Sequence, residues 1–304
     1  MKTILRFKSL SEFHSYSNLA KPEHPSISLV DYSNVNYPTD TDKIKWIQDF
    51  YSIGLKRNVS EKFNYGQQNY DFDEGVLSFV APQQTLNIQI NQAVKANASG
   101  WLVLIHPDFL WNTPLATSIK NYAFFGYAVN EALFLSEKEE TNIVALFKNI
   151  QKEYQSTIDK FSQNIIISQI ELLLNYAERY YERQFITRKI TNHHILTKLE
   201  KRLDYYFNNS EVAANGIPTV SQIANDLNLS PNYLSSTLKI ISGQSTQQHI
   251  QNKLIEKAKE KLSTTTLSIS EIAFELGFEH SASFSKLFKK KTDSSPIEFR
   301  QSFN

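Results

Sequence analysis

The sequence predicts an α+β chain in two parts, a β-rich half followed by an all-helical half, on three observations. Before residue 136, short apolar runs alternate with turn-forming residues. From Ser136 onward, apolar residues recur at helical spacing. The C-terminal region also contains a degenerate duplication, with each copy reading as helix, turn and helix.

In the first part, the runs Ser26–Asp31, Phe50–Leu55, Gly75–Pro82, Gly100–Ile105 and Ala123–Val129 are expected strands. Breakers such as Asn34–Pro38, Gly66, Asp73–Gly75, Asn97–Gly100 and Pro107 separate them. Leu86, Ile88 and Ile90 alternate with polar residues and read as one more strand. Many short strands with turns at this spacing predict a β-sandwich or barrel over residues 1–135.

Residues 136–185 then read as two helices. Ile143, Leu146, Phe147, Ile150 and Tyr154 mark the apolar face of the first; Ile166, Ile170, Leu173, Leu174, Ala177 and Tyr181 mark that of the second. Each face must be buried, either on the β domain or in a dimer seam. The second helix is apolar over a wide arc, so it can serve both, and the segment 136–185 is the candidate homodimer contact. Residues 186–192 are the expected linker to a helical domain over 193–304. There Ile195, Leu199, Leu203 and Phe207 recur every four residues, and Asn208–Pro218 reads as a loop.

Ser221, Ile223, Ala224, Leu227 and Leu229 match Ser270, Ile272, Ala273, Leu276 and Phe278. After one inserted residue, Leu234, Ser235, Leu238 and Lys239 match Phe284, Ser285, Phe288 and Lys289. Thr219 to Gln222 and Ser268 to Glu271 each fit a capping box, in which Ser or Thr caps the helix and Gln or Glu bonds back. Ser230 and Pro231 supply an N-cap and a first-turn proline, and Gly277 sits at a turn. The copies are helix-turn-helix motifs, about 219–242 and 268–291.

In such a motif the second helix enters the major groove of double-stranded DNA. The candidate contacts are Asn232, Tyr233, Ser235, Ser236 and Lys239 in the first copy, and Ser281, Ala282, Ser285, Lys286 and Lys289 in the second. Leu234, Leu238, Phe284 and Phe288 face the core. Small polar side chains suit base edges and lysines suit phosphates. Residues 245–262 read as one helix joining the copies, roughly 27 Å long. Its apolar face is Ile250, Leu254, Ala258 and Leu262; Lys253, Lys257, Lys259 and Lys261 lie on its polar face.

Composition excludes much else. The chain has no cysteine, which removes disulfides, thiolate nucleophiles and Cys-ligated metals. Its 7 histidines form no local metal motif, and no catalytic residue, metal or cofactor is expected. A formal net charge of +1 makes DNA binding a matter of local lysines, those at 286 and 289–291 above all. No run approaches the roughly 18 apolar residues needed to span a bilayer, and Arg6 and Lys8 interrupt any secretory core, so a cytoplasmic protein is expected.

Residues Ser270–Arg300, SEIAFELGFEHSASFSKLFKKKTDSSPIEFR, closely resemble the second helix-turn-helix of AraC/XylS-type transcriptional regulators. The shared features are IA, LGF, an F-S-[RK]-x-F-K core and a late S-P-x-x-[YF]-R. The first copy is similar to the family's first motif more loosely. Lys253-Leu254 stands where Arg-Leu is common, and Asp293 where glycine is usual. The resemblance implies a cupin-like (jelly-roll barrel) N-terminal sensor and two dimerisation helices. It further implies control by a small-molecule effector and transcriptional activation, more often than repression, through RNA polymerase.

For the effector pocket the candidates are Tyr51, Tyr70, Phe79, Trp101 and Trp111, with simple filling of the β domain as the competing reading. Two other functions are weighed. One is an effector-independent dimeric DNA-binding regulator. The other is a cupin metalloenzyme tethered to DNA, which would need a metal site assembled from His14, His24 and His106. Repair by methyl transfer would require a cysteine.

Overall fold

The computed structural model describes residues 4–35, 44–57, 75–88, 99–157, 159–209, 212 and 215–302. Its contacts divide the chain into two units, Met1–Arg188 and Lys189–Asn304.

The first unit contains eight described strands: β1 (Ile4–Phe7), β2 (Ile27–Asp31), β3 (Ile44–Gln48), β4 (Tyr51–Arg57), β5 (Gly75–Val80), β6 (Thr85–Ile88), β7 (Ser99–Ile105) and β8 (Leu133–Leu135). They form a five-stranded sheet of order β2-β7-β4-β5-β8 and a three-stranded sheet of order β1-β3-β6. Only β1 and β3 run parallel among the described pairs. Register sorts the larger sheet into two faces. Tyr51, Ile53 and Leu55 lie opposite Ile105, Val103 and Trp101, so all six share a face.

The alternate residues Val30, Val80, Leu102 and Leu104 point the other way. They form one cluster with Phe7, Trp46 and Leu86 of the smaller sheet. Helix α1 (Leu10–Tyr16) adds Leu10 and Phe13 to that cluster. It starts from Ser9, which accepts from Glu12 N at 3.2 Å, while Lys8 N donates to the Glu12 carboxylate at 2.7 Å.

The opposite face of the large sheet carries helices. After the single turn α2 (Leu115–Ser118) come α3 (Glu137–Tyr154) and α4 (Ser162–Thr187). Trp101 stacks on Phe147 of α3 at 6.0 Å, and Phe79 lies 6.3 Å from Tyr181 of α4. The expected apolar stripes of α3 and α4 are buried, apart from half-buried Tyr154. Arg183 forks onto Glu139 at 2.6 and 3.0 Å and also donates to Phe134 O. Buried Gln184 accepts from Phe134 N and donates to Ala132 O, which ties α4 to β8.

The structure differs from expectation in three places. Among the described residues the two sheets do not close into a barrel; they form a sandwich backed by helices. Ala123–Val129 is not a strand, because Ala123–Gly126 forms a 3₁₀ turn. An extended run would send Phe124 and Phe125 to opposite faces. Here both rings lie against Phe79, at 4.3 and 5.6 Å. The expected linker 186–192 is helical on both sides of Arg188. Ile90 lies outside the described residues.

The second unit is helical: α5 (Lys189–Asn208), α6 (Val220–Asp226), α7 (Pro231–Ser242), α8 (Thr246–Thr264), α9 (Ile269–Glu275), α10 (Ser281–Thr292) and α11 (Pro296–Gln301). One core unites them, with Leu199 and Leu203 of α5 and Ile250, Leu254, Ala258 and Leu262 of α8. The two copies meet there at matched positions: Ile223, Ala224, Leu234 and Leu238 from one, Ile272, Ala273, Phe284 and Phe288 from the other. Among the described residues, no helix is long and apolar enough to cross a membrane.

Candidate nucleic-acid interface

Each copy is built by the same local chemistry. Thr219 accepts from Gln222 N at 3.2 Å while the Gln222 side chain accepts from Thr219 N at 2.8 Å. Ser268 and Glu271 repeat this at 3.2 and 2.7 Å. The turns repeat as well. Leu229 N donates to Ala224 O at 2.9 Å, and Phe278 N donates to Ala273 O at the same distance. The residue before each bond has positive φ, 56° at Asn228 and 80° at Gly277. Helices α7 and α10 both end on a left-handed residue, Gly243 at 72° and Asp293 at 60°. Asp293 thus adopts the backbone conformation for which glycine is favoured.

The equivalence extends past the motifs. Ser245 and Gln248 form a capping box at the start of α8, and Ser295 and Glu298 form one at the start of α11. At the far end of α8, Arg300 donates to Leu262 O at 3.3 Å, so the late arginine caps the connecting helix. That role is invisible in the sequence, because the carbonyl it satisfies lies 38 residues earlier.

Burial now sorts the expected contacts. On α7, Asn232 and Lys239 are exposed, and Ser236 is half-buried on the same side. Tyr233 is a correction: it is 4% exposed and cannot reach a groove. One residue from Leu234, it lies on the inner side of the helix, where its backbone N–H also donates to the Ser230 cap at 3.2 Å. Ser235 sits on the flank and is hydrogen-bonded to Thr246 of α8 at 3.0 Å. On α10, Ala282, Lys286 and Lys289 are exposed, whereas Ser281 and Ser285 are half-buried flank positions. Exposed Ser283 and Lys290 complete that outer face. A helical wheel alone would have found both.

The lysines of α8 are otherwise engaged. Lys253 pairs with Asp204 of α5 at 2.5 Å and with Glu256 at 2.9 Å. Burial pushes its ammonium down, but the hydrogen bonds it donates to these carboxylates outweigh that and raise it overall. Lys257 pairs with Glu260 and Lys261 with Glu275, at 2.7 and 2.6 Å. Lys259 lies over the Phe299 ring. By contrast, Lys239, Lys286, Lys289 and Lys290 form no ion pair among the described residues. Positive charge is therefore available on the outer faces of α7 and α10 rather than along α8.

Among the described residues, the N-terminal candidates line no common pocket. Tyr51 and Phe79 are buried on the helix-covered face, each against Phe125, at 5.1 and 5.6 Å. Trp101, on the same face, is covered by Phe147, and the Arg57 guanidinium lies 5.9 Å from its ring centre. Trp111 is 69% exposed, and Tyr70 lies outside the described residues. The histidines are spread over separate local bonds. His14 contacts Ser28 Oγ at 2.8 Å, His24 accepts from Ser26 N, and His106 accepts from Asp108 N. No group of three metal-ligating side chains occurs among the described residues.

Comparison with known proteins places the second unit. Residues 223–302 match the family model described as a helix-turn-helix domain. The chain is similar to the raffinose operon transcriptional regulatory protein RafR of Pediococcus pentosaceus, 36% identical over 84 residues, which is 28% of this chain and 30% of that protein. It is also similar to the uncharacterized HTH-type transcriptional regulator YfiF of Bacillus subtilis, 34% identical over 143 residues, 47% of this chain and 42% of that one. The chain thus spans less than half the length of either relative. Among solved structures, the C-terminal domain of the two-component response regulator yesN from Fusobacterium nucleatum is 32% identical. It is matched over 93% of its length and 34% of this chain, with a TM-score of 0.30. Turns and core repeat in register across the matched residues, and the C-terminal part of this chain is a helix-turn-helix domain whose motifs resemble those of AraC/XylS-type regulators.

Proposed function

We propose that the chain is a DNA-binding transcriptional regulator acting in the cytoplasm, in which α7 and α10 enter the major groove. The observation that carries this is the pair of second helices, each with a fully buried inner face and an outer face bearing exposed lysine. Selection from a pool of random DNA duplexes tests it. The purified protein should enrich one sequence pattern; recovery of an unbiased pool would overturn the reading.

The first unit is proposed as a cupin-like sensor for a small-molecule effector, on the order and length of its elements. Helix α4 is proposed as the homodimer seam. Phe161, just before it, and Ile165, Leu172 and Ile186 on it are 55%, 42%, 43% and 64% exposed. They lie 4, 7 and 14 residues apart along one line of the helix, on which polar Ser168, Asn175, Arg179 and Glu182 stand between them. In this reading the effector changes how the dimer presents its DNA-binding units, and the outcome is activation through RNA polymerase. A ligand of the sensor at 100 times its dissociation constant should add about 2.7 kcal/mol of stability, readable as a thermal shift.

A further inference from the structure

The two outer faces carry different chemistry at equivalent places. Along α7 the outward line runs Asn232, half-buried Ser236, Lys239; along α10 it runs exposed Ala282, Lys286, Lys289. The positions correspond one for one, at a displacement of fifty residues, and both lines begin at the second residue of the helix. That end of a recognition helix is the one that meets base edges. Asn232 is there held outward by its neighbours: Pro231 starts the helix, Ser230 caps it, and buried Tyr233 anchors the next position. Its amide makes no hydrogen bond among the described residues. A carboxamide presents one donor and one acceptor side by side, which matches the N6 and N7 edge of adenine and no other base edge so well. Ala282, at the same place in the second copy, offers a methyl group, which can meet a thymine methyl but makes no hydrogen bond to a base edge. Beyond it come lysines, which as point charges suit phosphate oxygens.

We infer that the copies divide the work: Asn232 selects an adenine from the first motif, while Lys286, Lys289 and Lys290 hold the duplex by its backbone at the second. This rests on the DNA-binding reading above and deepens it. Asn232 is thereby the specificity-determining residue of α7.

The test is selection from a random duplex pool with the full chain, its Asn232→Ala variant and its Lys286→Ala variant. Matched melting curves should confirm that all three fold, since both side chains are exposed. The unaltered chain should enrich a pattern containing a fixed adenine. Asn232→Ala should lose that preference, binding the adenine site roughly 10- to 100-fold more weakly while keeping its affinity for sites lacking it. Lys286→Ala should weaken every sequence by one common factor. An Asn232→Ala variant that retains the adenine, or a Lys286→Ala variant that erases preference at one base, would overturn the division. No enrichment by the unaltered chain would instead defeat the DNA-binding reading itself.

Discussion

Gly277 shows how two residues with the same backbone conformation can differ in what they tolerate. Its counterpart Asn228 takes the same left-handed turn with a side chain attached. Positive φ alone therefore does not demand glycine. The neighbours do: a Cβ on Gly277 would sit 2.9 Å from Gly216 C, Ile217 N and Val212 Cγ1. At Gly243 a Cβ would meet nothing within 4 Å. Gly243→Ala should thus cost only the left-handed penalty, about 1 kcal/mol. Gly277→Ala should cost that plus overpacking, about 2–4 kcal/mol. Replacement of each by asparagine separates the terms: Asn should be nearly neutral at 243 and still damaging at 277. Urea unfolding would read all four variants, and equal losses at the two sites would reject the steric account. The same logic applies to Asp293, exposed at φ 60°. Asp293→Gly should stabilise the domain by about 0.5 kcal/mol, the strain relieved less the entropy that glycine loses.

At the scale of elements, the helices of the second unit were readable because each announces its own start. Ser or Thr followed three residues later by Gln or Glu opens α6, α8, α9 and α11, and the bond lies within four residues of sequence. The same signal opens α1, at Ser9 and Glu12, yet the strand-like texture around it hides the helix. Strands β1, β3 and β8 were unreadable for a different reason. They are 4, 5 and 3 residues long and exist through partners far away in sequence. Asn232 and Lys286 were legible on a helical wheel, whereas Tyr233 was not excluded, because its burial depends on packing beyond the motif.

The capping boxes also separate the copies by pH. Gln222 and Gln248 are neutral, while Glu271 and Glu298 carry carboxylates held below the ordinary value by hydrogen bonds from the backbone and side chain of Ser268 and Ser295. A carboxyl depressed in the folded state contributes fully above its unfolded value of 4.5, and that contribution disappears as pH falls through the lower folded value. The second motif should therefore loosen first in acid. Melting temperature against pH for the double variant Glu271→Gln, Glu298→Gln should be flatter below about pH 4.5 than for the unaltered chain. Parallel curves would remove these caps from the acid response.

For the molecule as a whole, the question is how many charges reach DNA and from how many copies of the chain. Lys253, Lys257 and Lys261 are committed to carboxylates within the fold and Lys291 donates to Asn252 of α8 at 3.3 Å, so the count per chain rests on Lys239, Lys286, Lys289 and Lys290. Four neutralised phosphates give a slope of log affinity on log salt of about −3.6, and roughly a hundredfold loss between 50 and 200 mM. A dimer engaging two sites should show about twice that slope. Leu172→Glu places a charge in the exposed stripe of α4 without touching the core, so the protein should stay folded. Sedimentation equilibrium should show that variant as a monomer, and its salt slope should fall to the single-chain value. Lys286→Ala should remove about one unit per chain from the slope, whereas Lys257→Ala should leave it unchanged. A Leu172→Glu variant that still sediments as a dimer would move the seam away from α4. A Lys257→Ala effect equal to that of Lys286→Ala would mean that α8 gives up its internal pairs to meet the duplex.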